Sequence, residues 1–383
     1  MGQYQSTLIT SHNKFASSLF QSITTKNKQT NIIFSPISIY LTVLMATGGS
    51  NGQTLSEFGK GIFLDQSPST VEVFRLIIEP FASNFFDNLN TSIINVANNV
   101  FVERNAILNE NYKEHVQKAF QVNVEQCDFA GNANGEAVNI NQWVSSHTNQ
   151  KINNLIPPNH LNSLTRLVLV NAVHFLGKWK EVFNISNSYT TTFHGAGGDS
   201  TCTIMQKERT KEQYGAEGLY HWVTMSFNDA KYKLTIVAVK DNSHQTTFDD
   251  WFSKKLSQGF ESGFPTRETQ MHSCGFPRFE LEQGMELNEI LQASPFNIQK
   301  AFTTNADFSN LIVNDQIHIN AVIHKAYIKV NENGAEAGAA LSMDCATFSI
   351  VKNPEFLVTS PFAFILTDDS TKSILFAGKV NTL

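Results

Sequence analysis

The sequence predicts a single α+β domain spanning residues 1–383. Helix-type patterns fill the first third of the chain and strand-type runs fill the rest, with no linker or internal repeat between them. The chain has 383 residues, 41% of them hydrophobic, and thirty Phe among them supply large apolar anchors for one sizeable core. Charged residues make up only 16%, and no tract is of low complexity, which excludes a disordered chain.

Ser35-Pro36 reads as a helix start, a hydroxyl cap followed by proline at the first helical position. Residues 37–47 continue as a mostly apolar helix, therefore a buried one, and Gly48-Gly49 ends it. Thr54-Leu55-Ser56-Glu57 opens another helix. Residues 139–155, with Trp143 and Val144 on one side, predict an amphipathic helix that stops before Pro157-Pro158. Then the period changes. Residues 166–175 (RLVLVNAVHF) fit a central strand buried on both faces. Short strand-like runs recur at 234–239, 279–281, 317–319 and 326–330. Two final runs, 362–366 and 374–377, flank Asp368-Asp369-Ser370-Thr371 and predict a hairpin.

The net charge of −6 is spread over the chain, and no Lys/Arg cluster forms a nucleic-acid or heparin patch. Cys127, Cys202, Cys274 and Cys345 stand far apart without a CxxC pair, so no zinc or other metal site is expected. Idle buried thiols fit better than one or two disulfides, because a core this large needs no staple. The N-terminus lacks a basic region followed by an apolar stretch. It matches a myristoylation pattern from Gly2 to Ser6, a motif short enough to arise by chance. The longest apolar run, 167–176, is interrupted by Asn171 and His174 and is too short to span a bilayer. The expectation is a soluble protein, cytoplasmic or exported by an unconventional route, so that the sequons at Asn90 and Asn184 matter only if the chain enters the secretory pathway.

Catalytic signals fail on context. Gly48-Gly49-Ser50-Asn51-Gly52 matches the G-x-S-x-G elbow, whose chemistry needs a strand running into a turn and then a helix. Here a helix precedes the serine, and a glycine-terminated helix is the plainer reading. The eleven His are dispersed and include no HExxH pair. His174 and His324 sit in apolar strand-like runs as core histidines. No phosphate loop or dinucleotide fingerprint is present, so neither a catalytic residue nor a cofactor is expected.

Residues 333–349 (NGAEAGAALSMDCATFS) do not fit their surroundings. Gly and Ala are poor strand formers, yet they lie between strand-like runs. Ala335, Ala337, Ala339, Leu341, Met343 and Cys345 share one face of a period-two pattern; Glu336, Gly338, Ala340, Ser342, Asp344 and Ala346 share the other. Residues 336–343 have equal claim to an exposed Ala-rich helix, and a flexible linker is a third reading. Such a segment suits a loop in one state and a strand in another.

Taken in order, several motifs resemble the serpins, a family known for inserting a loop into a sheet. They are Asn31 through Ile39, Ile140-Asn141-Gln142-Trp143-Val144, Asn171-Ala172 through Gly177-Lys178-Trp179, Pro277-Arg278-Phe279, and Ala306-Asp307-Phe308-Ser309. Ile323-His324-Lys325-Ala326, then Val330 through Ala340, and Phe362 through Val380 complete the series. The resemblance implies a serpin fold, about nine helices around three β-sheets, with an exposed reactive-centre loop at about 333–353. It also implies a serine protease inhibitor, not an enzyme, whose partner is a target protease held as a covalent acyl-enzyme.

Carried over by position, the hinge is Gly334, Ala335, Glu336, Ala337, Gly338, Ala339 and Ala340. The bond cut, fourteen residues after Gly334, joins Phe348 to Ser349. An aromatic there suits a chymotrypsin-like target; an elastase-like enzyme cutting near Ala346 or Thr347 is the second choice. Ser35, Ser38, Asn171 and His324 match the polar cluster beneath the opening of the main sheet. Glu332 and Arg278, near Trp179, match the pair at its top. The region 67–90, which matches the heparin-binding helix of some members, has one basic residue, Arg75, so heparin activation is not expected. A monomer is expected. Leu341 stands where inhibitors often carry Thr, which keeps a non-inhibitory storage, carrier or chaperone role as the alternative.

Overall fold

The computed structural model describes residues 2–64, 70–240, 247–334 and 353–383. The helix-rich part runs α1 (Gly2–Lys26), β1 (Ile32–Phe34), α2 (Pro36–Gly49), α3 (Gly52–Gly61), α4 (Val71–Asp87), β2 (Ile94–Glu103), α5 (Glu110–Phe120), β3 (Glu125–Cys127), α6 (Phe129–His147) and β4 (Leu167–Phe175). The strand-rich part continues with β5 (Tyr189–Gly195), β6 (Gly198–Glu208), β7 (Lys211–Glu217), β8 (Tyr220–Ser226) and β9 (Tyr232–Val239). Then come α7 (Phe248–Ser257), α8 (Phe260–Gly263), β10 (Arg267–Gln270), β11 (Ser273–Pro277), β12 (Phe279–Glu286), α9 (Asn288–Gln292) and β13 (Ala321–Val330). The chain closes with β14 (Glu355–Leu357), β15 (Phe362–Asp368) and β16 (Ser373–Val380). Among the described residues there are nine α-helices and three sheets.

The sheets are ordered β1-β16-β15-β9-β8-β7-β10, β14-β11-β6-β5 and β12-β13-β4-β2-β3. Residues group into two compact units whose segments alternate along the chain. One comprises 1–19, 35–174 and 283–326; the other comprises 20–34, 175–282 and 327–383. In the first, every residue of α2 is buried, and Tyr112 of α5 donates from its hydroxyl to the Met45 carbonyl (3.1 Å), tying α5 to it. In the second, the C-terminal hairpin β15–β16 is the buried heart of the seven-stranded sheet, with Phe362, Phe364, Leu366 and Phe376 wholly inaccessible.

Local chemistry and distant partners together set where these elements begin and end. Ser35 caps α2, accepting the Ser38 N–H at 3.4 Å, and Pro36 occupies the first helical position as expected. The next helix starts at Gly52, two residues before Thr54, because Thr54 turns its hydroxyl to the Asp307 N–H (2.9 Å) and not to its own first turn. The helix expected over 139–155 runs instead from Phe129 to His147. Asp128 caps it by accepting the Gly131 N–H (2.9 Å), and left-handed Asn149 and Gln150 prevent continuation. Ile152, Leu155 and Ile156 are buried from a loop, which is why their spacing mimics a helix face. Residues 317–319 are not a strand: Ile319 donates to the Ala301 carbonyl (2.9 Å) in a 3₁₀ turn.

Gly215 in β7 lies where an added Cβ would press on the Pro265 carbonyl oxygen and the indole nitrogen of Trp222, which already bond each other at 3.1 Å. The Trp222 ring, 1% exposed, is held by its packing, and the Pro265 carbonyl by the bond it accepts from that ring. Gly215→Ala is therefore expected to destabilise the protein by about 1–3 kcal/mol, read as a lowered urea midpoint.

Candidate functional site

β4 and β13 are neighbours in the five-stranded sheet, and β4 is buried at all nine positions. Apolar residues fill most of β4, so a polar side chain within it needs a partner. Asn171 on β4 and His324 on β13 supply one another: His324 Nδ1 donates to Asn171 Oδ1 across the two strands. The tautomer follows from the other ring nitrogen. His324 Nε2 accepts the Ser35 N–H at 3.1 Å, so the proton resides on Nδ1. The Asn171 amide then donates to Ser38 Oγ and to Asn98 Oδ1, and Ser38 Oγ donates to Asn98 Oδ1 at 3.0 Å. All four expected cluster residues thus meet, each at most 1% exposed. Asn98 of β2 is the member that the sequence reading missed. Its signal was an Asn-Asn pair, Asn98-Asn99, at buried positions of a strand.

A second group stands where β4 and β13 end. Glu332, 4% exposed, receives Arg278 Nε on both carboxylate oxygens (2.7 and 2.8 Å) and the Ser188 hydroxyl at 2.5 Å. Burial alone would raise its pKa; the bonds from Arg278 and Ser188 outweigh burial and hold it below the ordinary carboxylate range. Trp179 donates from Nε1 to the Asn331 carbonyl (2.8 Å) and from its backbone N–H to the Asn333 carbonyl (3.0 Å). Asn331 and Gly334 exchange two backbone hydrogen bonds of 2.9 and 3.0 Å, turning the chain sharply. Gly334 holds φ +115° against Gly177 and Lys178, with no room for a Cβ. Ala335, Glu336, Ala337, Gly338, Ala339, Ala340, Phe348, Ser349 and Cys345 lie outside the described residues.

The decoys behave as structural parts. Ser50 is buried and donates to the Thr47 carbonyl at 2.7 Å, closing the end of α2. Arg75 places its guanidinium on the Gly48 carbonyl (2.7 and 3.1 Å), so the one basic residue of α4 is engaged with the protein itself. Cys127, Cys202 and Cys274 are free and buried; burial, then the nearby Glu136, pushes the Cys127 thiol up to about 12.

Comparison with known proteins gives this arrangement its class. The sequence model of the family "Serpin (serine protease inhibitor)" matches residues 10–383, and the chain belongs to that family. It is 27% identical to the neuroserpin of Gallus gallus over 362 residues, covering 91% of this chain and 85% of that one. It is 26% identical to a serine protease inhibitor of Cyanea capillata, with 96% of each chain covered. Serpin48 of the insect Tenebrio molitor shares the fold at TM-score 0.84 and 24% identity, over 98% of each chain. Conformational change and an exposed loop are general properties of this family, whose members act on target proteases as inhibitors and not as catalysts.

Two outcomes follow. Burial lowers the His324 pKa to about 3, against roughly 6.5 in an unfolded chain. The unfolded state therefore binds the proton first, and stability is lost as pH falls below about 6.5, by about 2 kcal/mol between pH 7.5 and 5. His324→Gln retains one acceptor and one donor and should remove that share of the pH dependence in melting curves. His12, His115 and His221, lowered to about 3, 4 and 4 mainly by burial, should still contribute theirs. Glu332→Ala should lower stability by about 1.5–3 kcal/mol, because charge-assisted bonds are lost and Arg278 loses its partner. Arg278→Ala in that background should add little if the two act as a pair.

Proposed function

We propose that the chain is a single-use inhibitor of a chymotrypsin-like serine protease. The observation that carries this reading is the course of β13. It ends at a glycine-tight turn beside Trp179, and the next residues in sequence, Ala335 to Ala340, are small except for Glu336. The protease serine attacks the carbonyl carbon of Phe348. The Phe348–Ser349 bond breaks, Ser349 leaves as the new amino terminus, and Phe348 stays as an ester on the protease. Freed at that end, the segment behind Gly334 folds back and enters the sheet between β13 and β4, antiparallel to β13.

Three features support that path. Small side chains at Ala335, Ala337, Gly338, Ala339 and Ala340 enter a closing sheet with little steric hindrance and little rotamer entropy to lose, and Glu336 falls on the face left toward solvent. The Trp179–Asn331 and Trp179–Asn333 bonds are the first to be exchanged, and the His324–Asn171 bond follows as the strands part. Each such buried pair costs about 1–3 kcal/mol if opened without replacement, so the sheet stays shut until the severed loop supplies new partners. Leu341 at an inward position favours slower insertion, and it keeps a non-inhibitory role as the second reading.

Mixing the protein with chymotrypsin is expected to give an SDS-stable complex and a released fragment beginning at Ser349. A fragment with another amino terminus would move the reactive bond. Hydrolysis with no complex at all would leave the chain a substrate and favour the non-inhibitory role. Ala337→Asp, on the face due to be buried, should raise the ratio of hydrolysed to complexed inhibitor at least about tenfold, since an unpaired charge must enter the core. Nicking the loop of the native protein should raise its melting temperature by tens of degrees.

A further inference from the structure

Asn184 opens a 3₁₀ turn, Ile185–Asn187, in the segment joining β4 to β5. Its Oδ1 accepts the Ser186 N–H at 3.0 Å and the Ser186 hydroxyl at 2.8 Å. Among the described residues, its Nδ2 donates to no other group. The hydroxyl of the third residue therefore already lies against the amide, drawing electron density toward Oδ1 and loosening the hold on the Nδ2 protons. Asn90 repeats the arrangement, accepting the Ser92 N–H (3.2 Å) and the Ser92 hydroxyl (2.6 Å).

Composition makes the coincidence informative. With 38 Asn and 63 Ser or Thr in 383 residues, random order would create about six Asn-x-Ser/Thr triplets. The chain holds two, and in both the second and third residues are exposed. Ile185, between Asn184 and Ser186, is 67% exposed. Together with Arg278, Glu332 and Asn333 it lines a groove of about 520 Å³.

We propose that Asn184 carries an N-linked oligosaccharide. The donor is a polyprenyl-diphosphate-linked oligosaccharide. Asn184 Nδ2 forms a bond to the anomeric carbon, the carbon–oxygen bond to the diphosphate breaks, the diphosphate leaves with that electron pair, and one Nδ2 proton is lost to a base. The apolar face of the first sugar then covers Ile185, and the glycan rises from the rim of the groove outside the Arg278–Glu332 pair. This assignment puts the chain in the secretory pathway, in place of the cytoplasmic or unconventional route expected from its N-terminus. It stands apart from the inhibitory reading.

The test is peptide mass spectrometry of the full chain isolated from its own cells, before and after an amidase that releases N-glycans in heavy-oxygen water. The Asn184 peptide is expected to carry a hexosamine-containing mass and to return as heavy-oxygen Asp at that position. Asn184→Gln expressed in the same cells should lose one glycan's mass while keeping the melting temperature of the enzymatically deglycosylated protein. An Asn184 peptide recovered mainly unmodified from the wild-type chain overturns the proposal, whatever the variant does.

Discussion

Everything that distinguishes this molecule depends on one hydrogen bond between side chains of adjacent strands, from His324 on β13 to Asn171 on β4. It demands a neutral imidazole, because the second ring nitrogen must accept the Ser35 N–H. That requirement places the start of α2 against the sheet, since Ser35 is both the helix cap and the donor. Ser38, one turn on, then reaches Asn98 and Asn171 from the same helix. A buried network of this kind specifies one arrangement of helix and strands, because any slip leaves several polar groups unpartnered at once. One donor, Asn98 Nδ2, has no partner among the described residues. The network thus holds the strands in register without making their closure irrevocable.

The middle of the β4–β13 pairing and its end solve different problems. In the middle, neutral groups share hydrogen bonds and carry no net charge, so parting the strands would not strand an ion in the core. At the end, Glu332 is charged and fixed by Arg278 and Ser188, and Arg278 keeps 42% of its side chain exposed. A charge anchored at the edge costs less than one in the interior and still orients the turn that carries Gly334. Polarity therefore rises toward the end where the chain leaves the sheet.

Much of this was legible in the residues. Ser35-Pro36 marked its helix because capping is local chemistry, and the strand 167–175 showed itself by an apolar run broken only by Asn171 and His174. The C-terminal hairpin was likewise written in two apolar runs around a polar turn. What the sequence misplaced was set by distant partners. Thr54 looked like a helix cap until Asp307, far along the chain, claimed its hydroxyl. Ile152, Leu155 and Ile156 had helical spacing but pack from an irregular segment, where burial follows tertiary shape and not period. Asn98 lacked any local signal beyond its place in an Asn-Asn pair; its role exists only once α2 and β4 converge on it. The Arg278–Glu332 pairing became visible only through the resemblance, since the two residues stand 54 positions apart.

The three described cysteines show how the molecule keeps. Each thiol is enclosed, and burial holds each away from the thiolate form that oxidants and electrophiles attack. With no cross-link among them, the described core neither gains from an oxidising medium nor suffers in a reducing one. The redox state of the surroundings therefore leaves this part of the core chemically unchanged.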